Sequence, residues 1–428
     1  MNYYNFTQEL IRKNLLNAYH DRSDGGLITT LIEMAFVSNM SVDLKNVSKK
    51  SKIKLIRFLF NEELGGIFAI DKKCQKEFIK LTEKYNLEAI THHIGDISKK
   101  GKPMLRIASC NYSEPISKLR KYWSELSYLI QSERDDKKTA LSEYNAKIKS
   151  HQSSQENLTP KLHFRVSNIS KKYLNTRNKP KIAIFREQGV NGHKEMANAF
   201  NLAGFDCYDV NTNDVIVNPT LLDEYHGLVA CGGFSYGDVL GAGRGWANKI
   251  KYNHDALNSL SKFFSNKSKF TLGVCNGCQM LSNLKSIIPG SEHWPEFIKN
   301  NSNQFEARQV LVKIPKSNSM LFKNMEKSVL PIIVSHGEGK ISIKNKANIK
   351  KVTMQYVDTV GKYTEEYPYN PNGSLNGVTG FCNNDGRINI MMPHPERLSH
   401  INNFSWAPEE WKLSPWLKLF KNAREWVN

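Results

Sequence analysis

The sequence predicts an α/β protein whose larger part, residues 180–428, forms a mostly parallel sheet with helices on both faces. Two observations support this prediction. Short apolar runs alternate with helical segments, first in KIAIFRE, HKEMANAFNLAG and DCYDVNTND. Glycine turns follow two later runs, in ACGGFSYGD and TLGVCNG. Strands that alternate with helices indicate parallel pairing, and ligand sites in such sheets lie at the carboxyl ends of strands. Both glycine turns are expected at that edge.

The preceding part of the chain divides in two. Residues 1–110 mix helical and strand patterns, and we expect an α+β module there. Within it, Leu27–Ser38 is almost continuously apolar and predicts a buried helix, and Ile67–Ile70 predicts a strand after a Gly-Gly turn. Residues 111–179 are charged and lack glycine, which predicts a helical connector and a polar linker. The domain boundary is therefore placed near Asn178.

Composition and charge limit the classes of protein to which the chain can belong. The chain has 428 residues, of which 40% are hydrophobic. No apolar run approaches the roughly 18 residues of a membrane span, and the N-terminus lacks a secretory apolar core. We expect a soluble, cytoplasmic protein without a membrane partner. The net charge is +19, but the lysines are spread along the chain. We therefore expect anionic small substrates rather than nucleic acid. The seven cysteines, most of them widely spaced, do not predict a disulfide framework.

Two cysteines, Cys275 and Cys278, stand three positions apart and allow three interpretations. A zinc site needs a second Cys/His pair, and the only adjacent histidines, His92 and His93, have no cysteine pair nearby. A redox pair at a helix start would fit the position. The pattern G-x-C-x-G, centred on Cys275, is the cysteine form of a nucleophile elbow, in which small neighbours permit a sharp strand-to-helix turn. By itself this pattern fits a buried inert cysteine equally well.

Two further motifs favour the nucleophile. A thiolate needs a base, and the base needs an orienting partner. His394 and Glu396 stand two residues apart after the apolar run Ile388–Met392, and Pro393 and Pro395 on either side of His394 restrict the backbone. The turn at Gly232-Gly233 follows a predicted strand and can direct a backbone N–H towards a developing oxyanion. A second N–H can come from Asn276. Taken together, these motifs predict a cysteine hydrolase or transferase site.

The same residues resemble the class I glutamine amidotransferases. The motifs that resemble the glutaminase domain of the long-chain phosphoribosylformylglycinamidine synthase family are FREQGVNGHKEMANAF, CGGFSYGDVLGAG, GVCNGCQMLSNL, SHGEGK and MMPHPERLSH. The resemblance implies Cys275 as the nucleophile and His394 with Glu396 as the other members of a triad. It also implies an oxyanion hole formed by the N–H groups of Gly233 and Asn276. Gln279 occupies the position of a substrate-contacting glutamine.

Upstream, YHDRSDGGLITTLIEMAF and FNEELGG resemble the last synthetase-type domain of the same family, the carboxyl half of an aminoimidazole-ribonucleotide-synthetase-like module. The resemblance implies ATP and Mg²⁺ as cofactors, with Asp21 as a metal ligand and Ser23 in contact with the nucleotide. A carboxylate beside a glycine-rich turn suits Mg²⁺. A helix cap and turn before Leu27 would give the same local sequence, so both interpretations stay open.

The resemblance implies a glutaminase that delivers ammonia for the ATP-dependent amidation of formylglycinamide ribonucleotide in de novo purine biosynthesis. The expected partners are glutamine and the upstream synthetase portion or chain of the same enzyme, because the long upstream part of the family is absent here. The alternative is a non-catalytic assembly subunit or a remnant of that enzyme. One local departure is Arg244, which stands where the family typically has an acidic residue.

Overall fold

The computed structural model describes residues 1–45, 52–150, 159–343 and 349–427. The chain forms two compact units. The first comprises Met1–Ser132 and Glu143–Gln155, and the second comprises Glu133–Ser142 and Glu156–Asn428. The boundaries predicted at residues 110 and 179 stay predictions, since a division by packing need not coincide with domain limits. Residues 151–158 of the predicted connector lie outside the described residues.

Residues 1–150 form short strands and amphipathic helices. The helices are α1 (Asn2–Arg12), α2 (Gly26–Ser38), α3 (Lys52–Phe60), α4 (Gln75–Lys84), α5 (Ile116–Arg134) and α6 (Lys137–Lys149). The strands are β1 (Ala18–Asp21), β2 (Ser41–Leu44), β3 (Gly66–Ala69), β4 (Gly95–Ser98), β5 (Met104–Ile107) and β6 (Tyr112–Pro115). The predicted helix Leu27–Ser38 is confirmed as α2, and the predicted strand Ile67–Ile70 is confirmed as β3 with a one-residue shift.

Two small sheets organise the first unit. Strands β1 and β3 pair antiparallel. The other sheet has the order β4-β2-β5-β6, in which β2 and β5 are parallel and the other two pairs are antiparallel. Helix α2 is largely apolar and contributes Leu27, Leu31 and Phe36 to a buried cluster that also includes Val42 and Leu105. Burial of such side chains is the main stabilising contribution in a module of this size.

The second unit contains the remaining elements. Its helices are α7 (Lys171–Leu174), α8 (His193–Leu202), α9 (Thr212–Val217), α10 (Arg244–Lys251), α11 (His254–Ser265), α12 (Asn276–Asn283) and α13 (Leu417–Trp426). Its strands are β7 (Lys181–Arg186), β8 (Asp206–Asn211), β9 (Gly227–Ala230), β10 (Phe270–Val274), β11 (Glu296–Ile298), β12 (Glu306–Lys313), β13 (Val329–His336), β14 (Lys340–Ser342), β15 (Val352–Val357), β16 (Val378–Cys382) and β17 (Ile388–Met391).

Within the described residues, the main sheet of this unit has nine strands. Their order is β13-β12-β15-β16-β17-β10-β9-β7-β8. The strands from β17 to β8 are parallel to one another, and the strands from β13 to β17 pair antiparallel. Strands β11 and β14 form a separate antiparallel pair. The predicted α/β class is confirmed. The antiparallel extension was not predicted, because alternating apolar residues do not reveal which strand is the neighbour.

The position of the site follows from burial of the central strand. Every residue of β10, Phe270–Val274, is buried, so both faces of this strand are covered by packed side chains. In a sheet of such strands, polar groups reach a ligand at the carboxyl ends of the strands. Among the helices that the structure describes, none is both long and apolar enough to cross a membrane.

Candidate active site

The chain turns sharply at Cys275, between the end of β10 and the start of α12. Cys275 has φ +53° and ψ −111°, a conformation that non-glycine residues rarely adopt. Hydrogen bonds hold it on both sides. Its backbone N–H donates to the carbonyl of Met391 at 2.9 Å, and its carbonyl accepts from the N–H of Gln279 at 3.0 Å. Backbone strain of this kind persists only where the surrounding structure fixes it.

The glycines on either side of Cys275 are required by close packing. A Cβ atom at Gly277 would lie 2.1 Å from the carbonyl oxygen of Ala230 in β9. A Cβ atom at Gly273 would lie 2.9 Å from the carbonyl oxygen of Gly277. The first turn of α12 therefore rests directly on the end of the neighbouring strand. The sequence-based expectation of a sharp strand-to-helix turn at Cys275 is confirmed.

His394 and Glu396 form a buried pair just beyond β17. Nδ1 of His394 and Oε1 of Glu396 are 2.7 Å apart, and each residue is 1% exposed. The backbone N–H of His394 donates to the carbonyl of Ile333 at 2.9 Å, which ties the segment to β13. Burial by itself lowers the pKa of His394. The negative charge of Glu396 and the neighbouring Cys275 sulfur outweigh that effect and raise the pKa to about 9. The site therefore favours a charged imidazolium.

Cys275 and His394 both lie against Gly232. A Cβ atom at Gly232 would lie 2.6 Å from Cε1 of His394 and 3.2 Å from Cβ of Cys275. The Cys275 thiol donates to the carbonyl of Ser335 at 3.5 Å. Nε2 of His394 has no hydrogen-bond partner among the described residues. In ligand-free structures, hydrogen bonds between reacting groups are often long and tighten only when substrate binds. The arrangement places an imidazole nitrogen without a partner beside a thiol.

The two predicted oxyanion donors stand at the same edge of the sheet. Gly233 directly follows the Gly232 contact, and a Cβ atom at Gly233 would lie 2.5 Å from Cα of Val190. Asn276 is fully buried and begins α12. N–H groups at the start of a helix have no intrahelical acceptor, and the helix dipole favours negative charge there. The surroundings of Cys275 therefore suit an anion, whether thiolate or oxyanion.

The side chains of Asn276 and Gln279 are held by groups that the sequence did not identify. Nδ2 of Asn276 donates to Oδ1 of Asp238 at 2.9 Å. Nε2 of Gln279 donates to the carbonyl of Glu338 at 2.5 Å. Asp238 belongs to CGGFSYGDVLGAG and Glu338 to SHGEGK, motifs that supported the resemblance without a role for these carboxylates. The sequence signal that could have identified these residues was a carboxylate next to a glycine, in a motif beside the oxyanion turn.

His336 is a further buried group near the site. Burial and the nearby charge of His394 lower the pKa of His336 to about 3, so the imidazole is neutral. Neither ring nitrogen has a hydrogen-bond partner in the described part of the chain. His336 follows Ser335, whose carbonyl accepts the Cys275 thiol proton. This strand end therefore places the Ser335 carbonyl beside the thiol and a neutral imidazole near His394, and neither was assigned a role from the sequence.

The second cysteine of the pair faces a different environment. Cys278 is fully buried within α12, and burial raises the pKa of its thiol well above the usual range. A buried neutral thiol is a packing group rather than a nucleophile. Across the ranges that the structure describes, no group of three or more His, Cys, Asp or Glu side chains is placed to hold a metal ion.

Asp21 and Ser23, the residues predicted to contact Mg²⁺ and nucleotide, belong to the first unit. The Asp21 carboxylate accepts a hydrogen bond from the hydroxyl of Tyr19, and the carbonyl of Ser23 accepts from the N–H of Gly26 at 2.9 Å. The N–H of Gly25 donates to Oε1 of Glu62 at 2.8 Å. Asp21 can offer a single oxygen ligand, which suits an Mg²⁺ held mainly by phosphates. The Glu62 carboxylate therefore engages one N–H of this glycine turn.

Arg244, the departure noted in the sequence, begins α10 and is partly exposed. Its Nη2 lies 3.9 Å from Oε2 of Glu296. Both side chains are largely in solvent, so this ion pair contributes little to stability. The preceding residue, Gly243, packs on α12, where a Cβ atom would lie 2.8 Å from Cβ of Gln279. Arg244 therefore stands near the segment that holds Gln279.

Comparison with known proteins matches both parts of the chain. The family of CobB/CobQ-like glutamine amidotransferase domains matches residues 179–427, which is more than half of the chain. The C-terminal domain of AIR synthase related proteins matches residues 1–107. The order of the two domains agrees with the resemblance drawn from the motifs.

Solved structures are also similar to parts of the chain. The structure of PurLQS from Thermotoga maritima has 23% identity, covers 59% of this chain and 100% of its own, and gives a TM-score of 0.46. A glutamine amidotransferase from Thermotoga maritima has 17% identity, covers 51% of this chain and 77% of its own, and gives a TM-score of 0.29.

Proposed function

The chain belongs to the family of CobB/CobQ-like glutamine amidotransferase domains, and we propose that it hydrolyses glutamine through a thioester on Cys275. The observation that carries the proposal is the position of Cys275. It occupies a strained turn at the end of a fully buried strand, and it lies against Gly232 together with His394, whose Nδ1 is 2.7 Å from Oε1 of Glu396. Nucleophile, base and orienting carboxylate are the three groups that acyl transfer from an amide requires.

The chemistry balances with these groups alone. Sγ of Cys275, as thiolate, forms a bond to the side-chain carbonyl carbon of glutamine. The carbon–nitrogen bond then breaks, and the nitrogen leaves as ammonia after it takes a proton from the His394 imidazolium. Water, deprotonated by His394, attacks the γ-glutamyl thioester and releases glutamate, which restores the thiol. Glu396 holds the imidazole in orientation and stabilises its charged form throughout, consistent with the raised pKa of His394.

Three further residues contribute to this proposal. The N–H groups of Gly233 and Asn276 stabilise the oxyanion of each tetrahedral intermediate. Removal of one such donor typically costs ~10²–10³ in rate. Gln279, whose side chain is held by the Glu338 carbonyl, contacts the bound glutamine. All three stand on the loop after β9 or on the first turn of α12, next to the nucleophile.

We further propose that the ammonia serves ATP-dependent amidation of formylglycinamide ribonucleotide, as in phosphoribosylformylglycinamidine synthase. The match of residues 1–107 to the AIR synthase related family supports an ATP-using synthetase partner. ATP would activate the amide oxygen of the ribonucleotide, with Mg²⁺ to neutralise phosphate charge. On the first unit, Asp21 would offer one oxygen to the metal and Ser23 would contact the nucleotide. The synthetase portion or chain of the same enzyme is the proposed partner.

The test uses the full chain with L-glutamine, alone and with the synthetase portion of phosphoribosylformylglycinamidine synthase, ATP, Mg²⁺ and formylglycinamide ribonucleotide. Glutamate is expected in the presence of the synthetase portion, and so is the amidine product. Cys275→Ala should abolish both. Cys278→Ala is the matched control and should retain most activity. Glutamate formation that survives Cys275→Ala would contradict the proposed nucleophile.

The alternative, a non-catalytic assembly subunit, has a distinct outcome in the same experiment. It predicts that the chain copurifies with the synthetase portion but that no mixture consumes glutamine. Ammonium chloride should then support amidine formation equally well with wild type and Cys275→Ala. The intact arrangement of Cys275, His394 and Glu396 argues for the catalytic function.

A further inference from the structure

A loop after β7 holds the segment that carries Gly233, the proposed oxyanion donor. We call residues 187–192 the clamp loop and residues 232–238 the oxyanion loop. Three backbone hydrogen bonds join them: from the N–H of Phe234 to the carbonyl of Gly189 at 2.9 Å, from Tyr236 to Gln188 at 3.0 Å, and from Gly192 to Gly232 at 3.0 Å. These bonds lie on both sides of Gly233, so the clamp loop determines how the peptide of Gly233 is oriented.

The two loops are also in direct steric contact. Gly189 has φ +88°, and a Cβ atom there would lie 2.1 Å from the carbonyl oxygen of Phe234. A Cβ atom at Gly233 would lie 2.5 Å from Cα of Val190. The N–H of Gly233 itself donates to no group in the described ranges. A shift of the clamp loop would therefore move a backbone donor that the surrounding protein leaves available.

A buried ion pair ties the clamp loop to helix α10. Glu187, the first residue of the clamp loop, is 3% exposed, and its Oε2 accepts from Nζ of Lys249 at 2.9 Å. Its Oε1 accepts from the N–H of Gln188 at 3.0 Å. Burial by itself raises the pKa of Glu187, but the hydrogen bonds from Lys249 and Gln188 outweigh burial and lower it. The carboxylate is therefore charged, and Lys249 neutralises it.

The same lysine contacts the oxyanion loop. Nζ of Lys249 lies 5.9 Å from the centre of the Tyr236 ring, within the range of a cation–π interaction. Tyr236 has φ +54°, in the left-handed region that side chains disfavour. Such a conformation persists only where neighbouring groups fix it. Lys249 thus holds both loops, one through the Glu187 carboxylate and the other through the Tyr236 ring.

We propose that Lys249 and Glu187 are positioning residues for the glutaminase reaction, and that they set the direction of the Gly233 N–H towards the developing oxyanion. This inference rests on the proposed glutaminase function. A buried ion pair contributes little net stability compared with apolar groups of the same size, so its clearest effect is to favour one arrangement of its surroundings. Here that arrangement is the alignment of the two loops. Neither residue touches the substrate in this proposal.

Turnover measurements on the full chain with the synthetase portion test the proposal first. A misplacement of about 1 Å at a reacting centre can cost ~10² in rate. Lys249→Met should therefore lower kcat by about 10- to 100-fold with KM for glutamine nearly unchanged, because an oxyanion donor acts in the transition state. Lys249→Arg keeps a cation for Glu187 and should restore most of the rate. Lys251→Met, which alters an exposed lysine of the same helix, is the matched control and should change neither parameter.

A second variant addresses folding. Lys249→Met leaves the Glu187 carboxylate buried without a counter-charge, which destabilises the protein. The double variant Glu187→Gln with Lys249→Met removes both charges and keeps an acceptor for the N–H of Gln188. Thermal unfolding should show that this variant is folded at the assay temperature, and kcat should still be reduced. A folded double variant with the kcat of the wild type would overturn the proposal, and so would a raised KM with unchanged kcat.

An aldehyde probe measures the oxyanion site without turnover. In the γ-aldehyde analogue of glutamine, the Cys275 thiolate forms a bond to the carbonyl carbon, and the electron pair of the C=O π bond moves to oxygen. The resulting tetrahedral adduct carries an oxygen where the N–H of Gly233 is expected to donate. Lys249→Met should weaken adduct formation by about the same factor as kcat. Binding of glutamine itself, measured in a Cys275→Ala background, should be the same with and without Lys249→Met.

The outcomes separate this proposal from the proposed function. If Lys249→Met weakens the adduct while wild-type protein never forms glutamate, the positioning role stands and the glutaminase function fails. If wild-type protein forms glutamate and Lys249→Met changes neither the adduct nor kcat, the glutaminase function stands and the positioning role is overturned. Equal weakening of the adduct and of glutamine binding would also overturn it, because the pair would then shape the pocket as a whole. Wild-type protein that forms no adduct would overturn both.

Discussion

Nδ1 of His394 lies 2.7 Å from Oε1 of Glu396, and both side chains are buried. Because Nδ1 is engaged by the carboxylate, the other nitrogen, Nε2, is directed to the remaining side of the ring, where it has no partner among the described residues. This relationship sets the tautomer and orientation of the imidazole. It also explains why the negative charge of Glu396 counteracts burial and raises the pKa of His394.

The two proposed triad partners of Cys275 should differ in their importance for thioester formation. His394→Asn removes the proton donor for ammonia and the base for water, so we expect kcat/KM to fall by ~10²–10⁴. Glu396→Gln keeps a hydrogen-bond acceptor for the imidazole and should cost less. Single-turnover trapping of the γ-glutamyl thioester measures the step directly. Wild-type rates in His394→Asn would rule out its role as base.

Electrophile labelling should distinguish the two neighbouring cysteines. An electrophilic glutamine analogue is expected to modify Cys275, because this thiol stands at the turn beside a charged imidazole. Cys278 is fully buried and its pKa is raised by burial, so it should stay unmodified in the folded protein. Peptide mass spectrometry after brief exposure provides the readout. Modification of Cys278 with Cys275 intact would contradict the nucleophile elbow.

Gly277→Ala should destabilise the second unit although alanine favours helices. In an exposed helix this change stabilises by roughly 1 kcal/mol. Here the added Cβ would lie 2.1 Å from the carbonyl oxygen of Ala230, so we expect a net loss of about 1–3 kcal/mol, typical of overpacking. Gly337→Ala is the matched control, since the nearest atom to its Cβ would be 4.0 Å away, on Phe305. Thermal unfolding of both variants tests the difference, and equal midpoints would refute the steric argument.

The stability of the folded protein should depend on the titration of His394. Its folded pKa is raised to about 9, above the unfolded value of about 6.5. The charged form is therefore favoured by folding. Its contribution is complete below about pH 6.5 and is lost as the pH rises through about 9. The midpoint of thermal unfolding of the wild type should fall more between these pH values than that of His394→Asn. Parallel curves for the two proteins would show that His394 is not charged in the folded state.

Local sequence determined much of the site. The turn at Cys275 could be predicted because the sterics of Gly273 and Gly277 act within a few residues of the cysteine. The pairing of His394 with Glu396 could be predicted because the two stand two residues apart and prolines flank His394, which leaves this short segment few backbone conformations. The helix Leu27–Ser38 was predictable from its continuous apolar character. In each case the interactions that decide the structure join residues that are close together in the sequence.

Only the tertiary structure decided which distant groups meet. Parallel pairing places Val274 opposite Met391, and this register brings both Cys275 and His394 against Gly232. The approach of Ser335 to the thiol, and of Asp238 to Asn276, likewise depends on strand order and loop closure. Hydrophobic periodicity specifies which face of a strand is buried but not which strand lies beside it. The contacts that complete the site therefore follow from the packing of the whole sheet.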